Sequence, residues 1–169
     1  MSKSLLGKWA LGLIAVLFAI GGVGGYSNGA ANAAGTASET ASVAQPMALT
    51  SAPPAESFSV FNPNHLYLDS GTSSISASSG SVTVSGSTTA NQVVDSIGVT
   101  FYVQKWNGTS WETVGSGSTV GGNQLSVYSN SFGKSVTAGY YYRGRTIHWV
   151  IENGVYEEGE RFTNSVLGI

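Results

Sequence analysis

Catalysis and metal binding need convergent donor side chains, and this 169-residue chain offers few: His65, His148 and a run of carboxylates at Glu157, Glu158 and Glu160. It has no cysteine. Without thiolate partners or a His-Glu-x-x-His pair on a helix, the two histidines do not compose a zinc site. His148 lies among aromatic residues and reads as a packed or hydrogen-bonded side chain. On an extended strand Glu158 and Glu160 share one face while Glu157 takes the other, so at most two carboxylates converge. A glycosidase holds two carboxylates at a controlled separation across a cleft, and nothing else in the chain suggests a cleft. The run is expected to be a solvated strand edge that discourages aggregation, with calcium binding as the lesser alternative. Gly133-Lys134-Ser135 ends like a phosphate-binding loop, but Tyr128 stands where the first glycine belongs. No catalytic residue, cofactor or metal is assigned, and the expectation is a protein that is not an enzyme.

Binding chemistry has a better candidate in Tyr102, Trp106 and Trp111. Flat exposed aromatic rings stack on sugars and anchor protein partners. The competing role is structural: a cross-strand Trp pair contributes ~0.5 to 1.5 kcal/mol by pinning a hairpin. The chain between Ala34 and Asn62 is also available to cover the rings. The structural role is favoured.

The elements that must position these residues are strands. Ile97 to Trp106 alternates, with Ile97, Val99, Phe101 and Val103 on one face and Thr100, Tyr102, Gln104 and Trp106 on the other. That pattern predicts a central strand with one face on a core. Asn107 to Ser110 then forms a four-residue loop returning through Trp111 to Gly115. Pairing Trp106 with Trp111 also sets Lys105 opposite Glu112 and Val103 opposite Val114, so one register satisfies aromatic, ionic and apolar pairs. Further strands are expected at Leu66 to Leu68, Ser74 to Ala77, Ser81 to Ser85, Gln124 to Tyr128, about Gly139 to Ile151, Val155 to Glu158 and Phe162 to Leu167. With no helical periodicity after the first 33 residues, the fold class is all-β: an antiparallel sandwich of immunoglobulin or fibronectin type III character with about seven strands. A closed barrel is the alternative.

Three regions follow from composition. Residues 1–33 are expected to be a signal peptide: Lys3 and Lys8, an apolar run, then Ala31-Asn32-Ala33 as a cleavage site. The alternative is a retained anchor, because Trp9 to Tyr26 is uncharged over 18 residues. Residues 34–64, rich in Ala, Ser, Thr and Pro, are expected to be a flexible linker in which Phe58, Val60 and Phe61 dock on the domain or begin its first strand. Residues 65–169 form the domain. A formal net charge of −2 with only 7 Lys and Arg lacks the electrostatic footprint of a nucleic-acid binder. Secretion is the expected localisation, with the membrane involved only through an uncleaved leader.

Val136-x-Ala138-Gly139-x-x-Tyr142 resembles the tyrosine corner of fibronectin type III domains, with Ala138 where that family often has Pro. The resemblance implies that Gly139 makes the turn and that the Tyr142 hydroxyl bonds back to the upstream backbone. From about Tyr67 onward the chain is similar to a family of small secreted domains from Gram-positive bacteria. The residues carrying that likeness are Gly86-Ser-Thr-Thr-Ala90, Gln104-Lys-Trp-Asn-Gly-Thr-Ser-Trp111 and Gly139-Tyr-Tyr-Tyr-Arg143 with His148 beyond. This likeness implies export and a β-sandwich and brings no activity. The reading is a secreted, non-enzymatic module for extracellular, cell-surface or matrix interaction, its partner an extracellular protein or a polysaccharide. Its alternatives are a carbohydrate-binding module using Tyr102, Trp106 and Trp111, and a secreted enzyme or inhibitor of unrecognised type.

Overall fold

A computed structural model describes residues 45–55 and 58–169. The expected leader at 1–33 and the first part of the expected linker lie outside the described residues. The described chain forms one antiparallel sheet of eight strands: β1 Ser59–Val60, β2 Leu68–Ser78, β3 Ser81–Trp106, β4 Trp111–Thr113, β5 Ser118–Ser135, β6 Tyr141–Glu152, β7 Val155–Phe162 and β8 Val166–Leu167. No described residue is helical.

β3 is the spine. Its first half pairs with β2 on one side, from Ser70↔Thr89 to Ser78↔Ser81, and with the second half of β5 on the other. Its second half pairs with β6, from Ser96↔Ile151 to Lys105↔Tyr142, with the first half of β5, and with β4. The expected strands Ser81 to Ser85 and Ile97 to Trp106 are thus the two ends of one 26-residue strand.

A bulge makes the corner between the halves. Thr89 faces Val127 and Val94 faces Leu125, so residues 90–93 of β3 stand against Ser126 alone. Asn91, Gln92 and Val93 turn to solvent there. Before the corner the buried positions are Val82, Val84, Thr88 and Ala90; after it they include Val94 and then Ile97, Val99, Phe101 and Val103. The inward parity changes from even to odd between Val94 and Ile97, just past the extra residues, so both halves keep a buried side.

The halves then pack on each other. Val82, Val84, Val99, Phe101, Val103 and Tyr142 form one buried cluster, and Leu68, Ala90, Val94, Ile97 and Val150 form a second. The contact is close enough to require glycine at Gly144, where a Cβ would come 2.6 Å from Val84 Cγ1. Gly71 is under the same constraint, because a Cβ there would overlap the His148 imidazole.

In its described part the Ala/Ser/Thr/Pro-rich stretch is laid along the sheet. Leu49 N–H donates to Gly139 O at 2.7 Å, Gln45 N–H donates to Tyr141 Oη at 3.2 Å, and Pro53 is buried. Phe58 stacks on Phe162 with ring centroids 4.2 Å apart, and β1 pairs with β7. A few apolar side chains in a polar segment are enough to dock it.

Candidate functional site

The hairpin holding Trp106 and Trp111 has the register that its residue types imply: Trp106↔Trp111, Lys105↔Glu112 and Gln104↔Thr113. Asn107 closes the loop, its Oδ1 accepting the backbone N–H of Thr109 at 2.9 Å and of Ser110 at 2.8 Å. Gly108 occupies a positive φ of 106° that only glycine takes readily. The two indoles meet at 5.3 Å between centroids with planes tilted by 55°, a contact that contributes to packing.

These rings continue into a ladder across the sheet. The Arg143 guanidinium lies 4.4 Å from the Trp111 ring and 4.5 Å from the Phe162 ring, which in turn stacks on Phe58. Arg143 Nε donates to Gln104 Oε1 at 2.8 Å. Trp106 is only 8% exposed, and Tyr102 is half-buried with the Arg145 guanidinium 5.3 Å from its ring. Arg145 is itself ion-paired with Glu160. Trp106 is largely covered, and the half-buried Trp111 and Tyr102 each carry a cation over one ring face.

His148 is fully buried, and its proton position follows from its partners. Thr88 Oγ1 donates its single proton to Gly98 O at 2.8 Å, so in its 2.8 Å contact with His148 Nδ1 the imidazole must be the donor. Nε2 is then the acceptor, with the Thr146 hydroxyl 2.9 Å away, and Thr146 Oγ1 and Ser73 Oγ share a hydrogen bond of 2.5 Å. Every proton in this chain of hydroxyls has one acceptor. Burial, and secondarily the positive charge of Arg161, pulls the imidazole down to about 4. Ser73 also lies 3.2 Å from Nε2, which places a hydroxyl beside a base as in nucleophilic catalysis. The pair is sealed from solvent on the imidazole side, His148 being fully buried.

Glu157 departs from the solvated edge expected for the carboxylate run. It is buried, and its two oxygens accept the backbone N–H groups of Leu66 at 2.6 Å and of Tyr67 and Leu68 at 2.8 Å each. Burial raises its pKa, but the three amides outweigh that and leave it below the usual carboxylate value. It clamps β7 to the start of β2. Glu158 and Glu160 face outward, Glu158 accepting the Tyr156 hydroxyl at 2.7 Å. Among the described residues no three His, Cys, Asp or Glu side chains gather as metal donors.

Tyr142 Oη donates to Thr137 O at 2.9 Å and accepts from Thr137 N–H at 3.2 Å. Gly139, at a φ of 86°, makes the turn between them.

One feature escaped the residue patterns altogether. The outer side of β2, the first half of β3 and the second half of β5 is a field of hydroxyls. Its rows are Thr72–Ser87–Ser129, Ser74–Ser85–Ser131 and Ser78–Ser81–Ser135, with Ser76–Thr83 completing a fourth against Gly133. Strand geometry spaces such side chains about 4.8 Å across and roughly 6.7 Å along the sheet. None of these positions carries a charge, and a shallow groove of about 280 Å³ runs among Thr72, Ser74, Ser85, Ser87 and Ser129.

No family model, curated protein or solved structure matches this chain. Of the residues expected at a binding face, Trp106 and Trp111 are brought together, and Tyr102 is drawn under Arg145 nearby. The hydroxyl field was missed because Ser and Thr at alternate positions read as ordinary solvent-facing strand residues; only the lateral register shows them as rows.

Proposed function

We propose that the chain is an exported, non-enzymatic β-sandwich module whose flat hydroxyl face contacts an extended hydrated surface, a cell-wall or matrix polysaccharide. The observation that carries this reading is the uncharged field of Ser and Thr on three paired strands. Hydroxyls in rows offer donors and acceptors together, as a polyol partner does, and rigid strands present them without the ordering cost of a loop. The Lys3 and Lys8 start, the apolar run and Ala31-Asn32-Ala33 support export. The packing of one half of the sheet on the other and the Tyr142 corner support a relation to immunoglobulin-like and fibronectin type III sandwiches. The likeness to small secreted domains of Gram-positive bacteria points the same way. A hydrolase reading finds a hydroxyl beside His148, but the imidazole is fully buried with Thr88 and Thr146 on its two nitrogens.

Co-sedimentation with insoluble polysaccharides, peptidoglycan among them, tests this. Wild-type protein is expected to pellet, Ser85→Lys to lose binding at least tenfold, and Trp111→Ala to bind as wild type. The reverse pattern would instead support a carbohydrate-binding module built on the aromatic hairpin. No binding to any polysaccharide contradicts the proposal.

A further inference from the structure

We infer that the free edge of β5 is a self-association site, at which two copies of this chain pair their β5 strands antiparallel about a twofold axis. The inference does not depend on what the hydroxyl face contacts. β5 is 18 residues long, bonds to β3 along one side, and touches no other strand among the described residues. The other strands of the sheet are better covered: β2 packs against β6, β7 and β8, and β7 carries β1.

The amides on the open side can be identified. Val136 N–H donates to Gly80 O at 3.0 Å, so even-numbered residues at this end of β5 face β3. Ser131 N–H turns instead to the side chain of Asn130, at 2.7 Å from Oδ1. The backbone groups of Val127, Ser129, Ser131 and Gly133 therefore point outward at two-residue spacing. Another extended backbone can satisfy such a row in place of water and the Asn130 side chain.

Natural edges of this length are blunted by charge, proline or inward-pointing Lys. β5 lacks these devices over most of its length. Ser126-Val-Tyr-Ser-Asn-Ser-Phe132 has no charge, no Pro and no Gly, and Lys134 is the one charged residue in the strand. Val127 and Leu125 are 50% and 40% exposed. Segments of this composition pair with copies of themselves.

A second copy fits the edge without conflict. With the axis beside Ser129, Val127 of one strand lies across from Ser131 of the other, and the two Lys134 sit at opposite ends. Parity is preserved, so the Thr72–Ser87–Ser129 row of one copy continues into the same row of the next across six strands, while Ser131 of each copy meets Val127 of the other. A formal net charge of −2 sets up little repulsion between copies.

Analytical ultracentrifugation of the full-length chain, with Ser131→Pro beside it, tests the inference. Proline removes an outward amide and leaves the β3 ladder intact. Wild type is expected to dimerise, and Ser131→Pro to weaken the dimer at least tenfold with an unchanged circular dichroism spectrum. Should the proline variant misfold, Ser129→Lys supplies the same test by placing like charges at the axis. Amide exchange gives a second readout: Val127, Ser129, Ser131 and Gly133 are protected in the dimer and exchange in the monomer. A wild-type monomer at all concentrations overturns the inference. So does dimerisation undiminished in a folded variant, or protection of those amides in a monomer, which would place another segment of the same chain on the edge.

Discussion

Tyr142 and His148 are both buried polar side chains on β6, and each answers to a different test. Tyr142 makes two hydrogen bonds to Thr137 through one hydroxyl. Tyr142→Phe removes both and leaves the ring in place, so thermal denaturation is expected to register a loss of about 1 to 2 kcal/mol; an unchanged melting curve contradicts the corner role. His148 binds its proton in the unfolded chain near the ordinary value of 6.5 but in the folded chain only at about 4. Between these values the unfolded state holds more protons, so stability falls as pH drops through that window and is fully present above it. The difference amounts to about 3 kcal/mol by pH 4. Glu157, with a depressed folded pKa, adds a further loss as acid protonates it. Denaturant titrations between pH 7 and pH 4 should show the slope, and a folded His148→Gln variant should lose most of it. A slope unchanged in that variant removes His148 as the cause. Neither the hydroxyl partners of His148 nor the clamp at Glu157 was legible beforehand, because Ser73, Thr88 and Thr146 resemble any other strand hydroxyl. Leu66, Tyr67 and Leu68, moreover, meet Glu157 through backbone rather than side chain.

At the scale of elements, the 107–110 hairpin and its register were readable because three cross-strand pairs agreed on one alignment. The spine strand was readable only at its ends. Between Ser85 and Ile97 the inward positions are Gly86, Thr88, Ala90 and Val94, small or polar residues that leave no apolar alternation. They are small because this half of β3 lies close on its neighbours, with a Cβ at Gly86 coming 3.2 Å from Phe101 and 3.3 Å from Val99. The corner at 90–93 carries a corresponding prediction. Deleting Gln92 shifts every later position of β3 by one relative to the first half, setting the burial of Ile97, Val99, Phe101 and Val103 against that of Val82 and Val84. The deletion variant is expected to lose cooperative unfolding and amide shift dispersion. A well-dispersed spectrum would mean that the bulge is spare length and does not set the phase.

As a whole molecule, the chain turns its richest chemistry inward or against itself. Trp106, Trp111, Arg143 and Phe162 stack on one another, His148 is sealed in hydroxyls, and Glu157 holds backbone. What it presents outward in order is the Ser/Thr field, a property of three strands aligned and of no single segment. An all-β fold could be read from alternation and turns, whereas this face required the lateral register. The most direct measurement is a titration of isotope-labelled protein with soluble polysaccharide fragments, followed by backbone amide shifts. Binding at the hydroxyl face is expected to concentrate the shifts at Thr72 to Ser78, Thr83 to Thr89 and Ser129 to Ser135. Shifts centred instead on Trp111, Tyr102 and Arg143, or absent throughout, would contradict it.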